Sequence, residues 1–497
     1  MLDLTYVLEP PRGPEVEFRE VAAINLLLAS ILRGQTVSGA LSKGYIMVDR
    51  GPVLSMSHVW HFPDLPATAI TRRGIISDVG RTGMVNWIIY LTKWKYQMNE
   101  TILNFLSGGI AQFSTGALVI TGLILTHITI AGVTIYLHRH QAHRALDLHP
   151  VTSHFFRFWL WMTTGMVTRE WVAIHRKHHA KCESPQDPHS PQVLGIRKVL
   201  WQGAELYRQE AHNRQTLEDY GHRTPDDWLE RRLYSRYSWL GVSLMLMLDV
   251  VLFGIPGVIL WAIQMAWIPF WAAGVINGIG HWWGYRNYET RDASRNISPI
   301  GIIIGGEELH ANHHAFPASA RFSSKWWEFD LGWVWIRLMA LLGLARIKKV
   351  APRPVIRPGK VSIDMDTVRA VVLNRMHVMA TYAREVIRPV LRQERRHCDG
   401  SCRRLLRNAR GLLTREASLI DELARGRLEQ ILGQFRDLRI VYQYRQQLQS
   451  VWARKATSQE HLLQALQEWC RQAEATGIAA LQEFAQRLRG YSLQQTA

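Results

Sequence analysis

The sequence predicts an all-α protein: an apolar helical stem able to cross a membrane, a histidine-rich helical cap beside it, and a separate helical bundle at the C-terminal end. Three observations carry this. Gly116–Leu137 and Trp239–Ile276 are long and nearly free of charge. Histidines cluster at helical spacing in the polar segments next to those runs. From Thr367 onward, apolar residues recur at helical spacing, as in "LLQALQEWCRQAEATGIAALQEF". The chain has 497 residues, and its 20 Trp already set it apart from an ordinary soluble protein. Its four cysteines include no C-x-x-C pair, which indicates neither a disulfide framework nor a zinc ribbon or iron–sulfur cluster. The mean hydropathy of -0.09 is modest because the polar tail dilutes the apolar part.

At the N-terminal end, the runs "VAAINLLLASIL" and "MVNWIIYL" are too short to span a bilayer, and no signal-peptide pattern is present. Gly116–Leu137 follows, 22 residues without a formal charge, enough for a core of about 30 Å at about 1.5 Å per residue. Trp239–Ile276 is 38 residues with Asp249 as its only charge and "GIPG" near its middle, which reads as two helices and a tight turn. The Lys/Arg-rich segments before and after this hairpin place both on the cytoplasmic side. With three spans, everything before Gly116 must lie outside, yet Met1–Gln97 carries ten Lys/Arg. Residues 1–97 are therefore expected to be an extension outside the working protein, with Met98 as the true start. The rival reading keeps the extension inside and makes Thr101–Gly116 a further stem helix.

"WVAIHRKHHAKC" crowds His175, His178 and His179 around Arg176 and Lys177. Positions i, i+3 and i+4 share one helix face, so the imidazoles can meet at one point while the cations face away. "HANHH" repeats the spacing with His310, His313 and His314, and "HRHQAH" supplies His138 and His143 where the first span ends. The hairpin's return limb adds Asn277 and His281. Nine histidines on one side of the bilayer are too many for one metal and suit two. Imidazole binds iron, copper and zinc alike, so the ligands alone do not choose. Asp187, Glu307 and Glu308 are the carboxylates placed to accept the other imidazole N–H, and Asp187 and His189 are expected as supports rather than ligands. His127, inside the first span, is expected in an interhelical hydrogen bond, and His149 and His154 as surface histidines.

These boxes, with "QDPH" after the second, "NGIGH" before the third and "FP" after it, resemble the membrane fatty acid desaturases of the delta-9 acyl branch, over roughly Gly116–Lys349. "HANHHAFPASARFS" and the basic tail resemble bacterial members acting on phospholipid or coenzyme A acyl chains. The resemblance implies a four-helix stem and a cytoplasmic cap with two iron ions. It implies O2 as co-substrate, and NAD(P)H electrons reaching the site through a separate ferredoxin-type or reductase partner. Asn277 then matches a residue reaching one metal through water, and His140 a non-ligand position. The expected activity is a cis double bond, at position 9 by resemblance, in saturated acyl chains at a membrane crossed several times, the bacterial inner membrane if the source is prokaryotic. The alternatives are a di-iron hydroxylase or ketolase with similar boxes, and a metal-dependent membrane hydrolase. A narrow apolar tunnel is expected, walled by the first span, "FFRFWLWMTTG" and "HWWGY".

The desaturase part is assigned residues 98–350, a proline-rich linker 351–363, and a basic helical tail 364–497 with 22 Lys/Arg against 14 Asp/Glu. A similar tail occurs in some insertion-sequence transposases, which raises nucleic acid as a partner. Anionic lipid headgroups or an acidic electron carrier are the favoured reading instead. "RHCDGSC" is expected to be a polar turn.

Overall fold

A computed structural model of the chain describes residues 45–48, 58–61, 78–453 and 458–493. They divide into two compact units, Met1–Ser107 and Gly108–Ala497. In the first, Tyr45–Val48 pairs antiparallel with His58–His61, and a 31-residue helix covers Asp78–Gly108. The expected boundary at Met98 thus falls inside a continuous helix. "TKWKYQMNE", Thr92–Glu100, is polar but holds neither Gly nor Pro, so nothing in it breaks the helix. The other parts of 1–97 lie outside the described residues. The alternative stem helix, Thr101–Gly116, is split by a turn at Gly109 (φ 61°), where a Cβ would lie 2.3 Å from the Leu252 backbone.

In the second unit, Ser114 caps a helix over Thr115–Ala131 that continues as a π-helix over Gly132–Ala142. Thr115–Ala142 and Ile255–Ile279 are long and apolar enough to cross a membrane, and Ser238–Phe253 is a shorter apolar helix. The expected hairpin forms between the last two, turning at Gly254 (φ 68°) with Pro256 in the first turn of the return limb. The limbs touch so closely that a Cβ on Gly257 would lie 2.0 Å from the Asp249 carbonyl oxygen. Asp249, the lone charge, accepts a bond from Gln264 Nε2 at 3.0 Å.

The aromatic segment expected as tunnel wall is a helix in its own right, Pro150–Thr164. It packs on the first limb of the hairpin through Gly241, and on the first apolar helix through Leu160 against Gly132 and Trp159 Nε1 donating to Thr129 Oγ1 at 3.0 Å. His127 accepts from Trp335 Nε1 at 2.7 Å, joining that helix to Leu331–Leu341. The described chain is mostly helical, with small exceptions such as Leu146–Leu148 paired antiparallel with Ala345–Ile347.

The tail has its own hydrophobic core, built from Val378, Tyr382, Leu413, Leu438, Phe484 and their neighbours. A second core surrounds Ile135, Tyr136, Leu160 and Ile336. Within the linker, Val355–Ile356 pairs with Tyr491–Ser492, which pins it to the far end of the tail. "RHCDGSC" departs from expectation, because Cys398 and Cys402 are joined as a disulfide. Asp399 caps the helix Gly400–Leu406 there, and the turn it sets brings the two Cα atoms to 5.3 Å.

Candidate metal centre

The first box lies on the π-helical turn, where the His143 N–H donates to the His138 carbonyl oxygen at 3.1 Å. That i→i+5 register stacks two residues five apart on one face, which an α-helix would not do. The second box lies on Thr168–Lys181. Arg176 faces away from it, donating to the carbonyl oxygens of Gln141, Ala142, Tyr220 and His222. Lys177 bonds Glu210 Oε1 at 2.7 Å and Thr216. Both cations of the box therefore tie the cap together. The third box occupies the short buried helix His310–Ala315.

The structure brings all nine histidines together, as two sets. Ring nitrogens of His138, His143, His175, His179 and His313 all lie within 4.8 Å of one another. Inside this set, His143 and His175 Nε2 approach to 2.8 Å, His138 and His313 to 3.0 Å, and His313 and His179 to 2.9 Å. His178, His281 and His314 form the second set with Cys182. His310 joins it through His281, Nε2 to Nε2, at 2.9 Å.

Four carboxylates take the outer nitrogens. Glu307 lies 2.7 Å from His138 Nδ1, Asp187 2.9 Å from His178 Nδ1, Glu183 2.9 Å from His281 Nδ1, and Asp292 3.0 Å from His314 Nδ1. An Nδ1 proton held this way leaves each inner Nε2 as a bare lone pair. His178 and His281 Nε2 then face each other at 3.2 Å as two acceptors, an arrangement that needs a cation between them. Burial pushes His143, His175, His179, His310 and His313 well below the ordinary imidazole value, with neighbouring imidazoles adding to the effect, and His314 down to about 4. His178 is the exception: burial lowers it, but Asp187 and Glu183 more than offset that and raise it above the ordinary value. A proton is therefore a poor candidate at the six lowered imidazoles, and the converging ring nitrogens fit a metal ion.

Several placements differ from the sequence reading. Glu308 accepts from the N–H groups of Ile304 and Gly306 and has no imidazole partner among the described residues, because the glycine turn before the third box presents its amides there. Glu183 and Asp292 do the work expected of it. Neither stands beside a box in a recognisable pattern, although Glu183 precedes "QDPH" by only a few residues. Cys182, one helical turn past His178, has its Sγ 3.9 Å from His178 and His281. Burial raises its thiol well above the ordinary value, so it stays a neutral neighbour. His189 is buried beside the His178 ring and donates its N–H to Asp187 at 3.2 Å, with its imidazole pushed down by burial to about 3. His140 turns outward, its Nδ1 3.0 Å from the Leu146 carbonyl oxygen. His149 caps a helix and His154 is exposed.

A cavity of about 560 Å³ runs from His138, His175, His310 and Asn277 past Trp171 and Ile174 to Trp239, Val242 and Met265. "FFRFWLWMTTG" contributes only its end, Thr164 and Gly165, and Trp282 and Trp283 of "HWWGY" are exposed rather than in this wall. The larger share comes from the hairpin and from helix Ile196–Ala211, neither of which was expected as a wall of the tunnel.

Residues 114–343 match the family model for fatty acid desaturases. The delta-9 acyl-lipid desaturase 1 of Arabidopsis thaliana is 30% identical over 217 residues, 43% of this chain and 69% of the relative. The chain belongs to the fatty acid desaturase family. The delta-9 acyl-lipid desaturase 2 of the same plant is 28% identical to this desaturase over 53% of its chain and 87% of the relative. The sn-1 stearoyl-lipid 9-desaturase of Anabaena variabilis is 29% identical over 45% and 80%. The desaturase's tail matches a different family model, a transposase, over residues 367–494.

Proposed function

We propose that this desaturase holds two iron ions, one in the set of His138, His143, His175, His179 and His313 and one in the set of His178, His281, His310 and His314, with Asn277 reaching the second through water. The observation that carries the reading is the pair of inward-facing imidazole sets at the end of an apolar cavity. Iron bound there supplies the oxygen activation needed to take hydrogen from an unactivated methylene. The chain's own residues do the rest. Glu307, Asp187, Glu183 and Asp292 fix the imidazole tautomers. Trp171, Ile174 and Ile276 exclude water and hold the chain against the sets.

The enzyme introduces a double bond into saturated acyl chains, at position 9 on the pattern of its relatives, with phospholipid or acyl-CoA as carrier. Dioxygen takes four electrons to become two waters, two from the broken C–H bonds and two from an external carrier protein fed by NAD(P)H. The stem crosses the bacterial inner membrane several times with the histidines cytoplasmic. Residues 98–350 form the catalytic part, 351–363 a linker and 364–497 a tail facing anionic lipid. Metal analysis with fatty acid profiling of cells expressing the protein tests this. Iron with new monounsaturated chains is expected. Zinc with unchanged lipids, or hydroxylated chains, overturns it.

A further inference from the structure

The two histidine sets differ in access to the outside. His178, His281, His310 and His314 are all buried, whereas His143, His175 and His179 of the five-histidine set are partly exposed. His175 meets the substrate cavity; His143 is not among the residues lining it. The surroundings of His143 are cationic. Arg144 follows it directly and donates to the carbonyl oxygen of Arg223, itself exposed. Both arginines have left-handed backbone, φ 51° and 58°, a conformation that a side-chain-bearing residue adopts only when its surroundings hold it there. Next to them the backbone N–H groups of Lys348 and Lys349 donate to the Ala145 carbonyl oxygen, which brings Arg346 and Lys348 to the same edge. One carboxylate, Asp147, answers Arg346 at 2.9 Å and Lys348 at 3.2 Å. Arg144 and Arg223 have no carboxylate partner among the described residues. Four cations answered by one carboxylate, starting at the residue next to a partly exposed imidazole, mark a surface that gains by meeting an anionic body.

We propose that the rim of Arg144, Arg223, Arg346 and Lys348 is the docking surface of an acidic one-electron carrier protein, and that His143 is the first imidazole its electron reaches. The inference rests on the desaturase reading above and locates the carrier which that reading requires. The reduced carrier loses one electron per encounter and leaves oxidised. Two encounters supply the two electrons that, with the two from the C–H bonds, take dioxygen to two waters. A carrier seated here meets the five-histidine set at its partly exposed member His143, whereas the members of the four-histidine set are all buried. A lipid headgroup would gain nothing from the partly exposed imidazole next to Arg144.

The full-length protein in neutral nanodiscs is titrated with two acidic probes, a plant-type [2Fe–2S] ferredoxin and a cytochrome b5 haem domain, at low and high ionic strength. At least one probe is expected to bind, with affinity falling steeply as salt rises. The double reversal R223E/K348E is expected to weaken it by roughly tenfold or more and to flatten the salt slope. R403E, on the exposed face of the tail, is expected to leave binding unchanged. In steady state R223E/K348E raises KM for the carrier while kcat at saturating carrier holds. No binding of either probe, equal loss in R403E, or a reversal that weakens adhesion to anionic vesicles and leaves carrier binding intact, each overturns the proposal. Absence of desaturated product with any electron source overturns the functional reading instead, and the binding titration does not depend on it.

Discussion

Replacing Asp292 by asparagine tests whether the carboxylates set the metal affinity of one site without touching the other. Asp292 Oδ2 lies 3.0 Å from His314 Nδ1, and the two side chains are 14% and 1% exposed. A hydrogen bond to a charged group contributes about 1.5–3 kcal/mol and a neutral one about 0.5–1.5. The amide oxygen of asparagine can still accept the His314 proton, its NH2 then standing where Asp292 Oδ1 accepts from Thr290 and Ser294. At His314 the change removes charge assistance alone, about 1–1.5 kcal/mol, or roughly tenfold in affinity. Asp292→Ala goes further, since it leaves a buried N–H unanswered and the ring free to change tautomer, so the loss moves toward about a hundredfold. Metal per purified chain, followed during titration with a graded chelator, reads both variants. One metal is expected to leave early, from the four-histidine set, while the other is retained. Glu308→Gln is the control, because Glu308 serves backbone amides. Retention of both metals within twofold in Asp292→Asn, or an equal loss in Glu308→Gln, would refute the reasoning.

The fully buried pair Arg139–Asp330, 2.9 Å apart with the guanidinium 3.8 Å from the Phe322 ring centroid, sits directly beside His138. Arg139→Met or Asp330→Asn alone is expected to cost about 3–5 kcal/mol, with the double variant well short of the sum, as measured by denaturant melts of the solubilised protein. Gly257→Ala forces the hairpin limbs apart and breaks the Gln264–Asp249 bond, costing about 1–3 kcal/mol and lowering the yield of folded protein in membranes. His377 of the tail packs between Phe316 and Tyr288, and burial, then Lys325, pushes it down to about 4. The unfolded chain binds this proton first as pH falls, so its contribution is complete above about 6.5. It is lost as pH falls toward about 4, which hydrogen exchange of the helix Arg375–Tyr382 that carries it will show as deprotection in that window and which His377→Phe will abolish.

The boxes were legible because histidines that share one helix face repeat at the helix period. His175, His178 and His179 announce a shared face by their spacing alone, and so do His310, His313 and His314. The hairpin was legible for a similar reason: an apolar run twice the needed length with "GIPG" in the middle has few other ways to fold. Helix existence in the tail followed from its periodicity. Boundaries were less legible, since the Asp78–Gly108 helix runs through the polar stretch around Met98 where composition changes but nothing breaks a helix.

The sequence by itself therefore determined which histidines could gather into a metal site and roughly which segments are helical. Tertiary structure alone decided how the nine histidines divide into five and four, because His178 and His179 are neighbours in sequence yet point into different sets. It alone decided that the first box is read through a π-helical turn, and that Glu183 and Asp292, rather than Glu308, hold the outer nitrogens of His281 and His314. The physical reason is one of range. Helical spacing fixes directions within about one turn, whereas a carboxylate reaches an imidazole through whichever loop the packed fold carries past it.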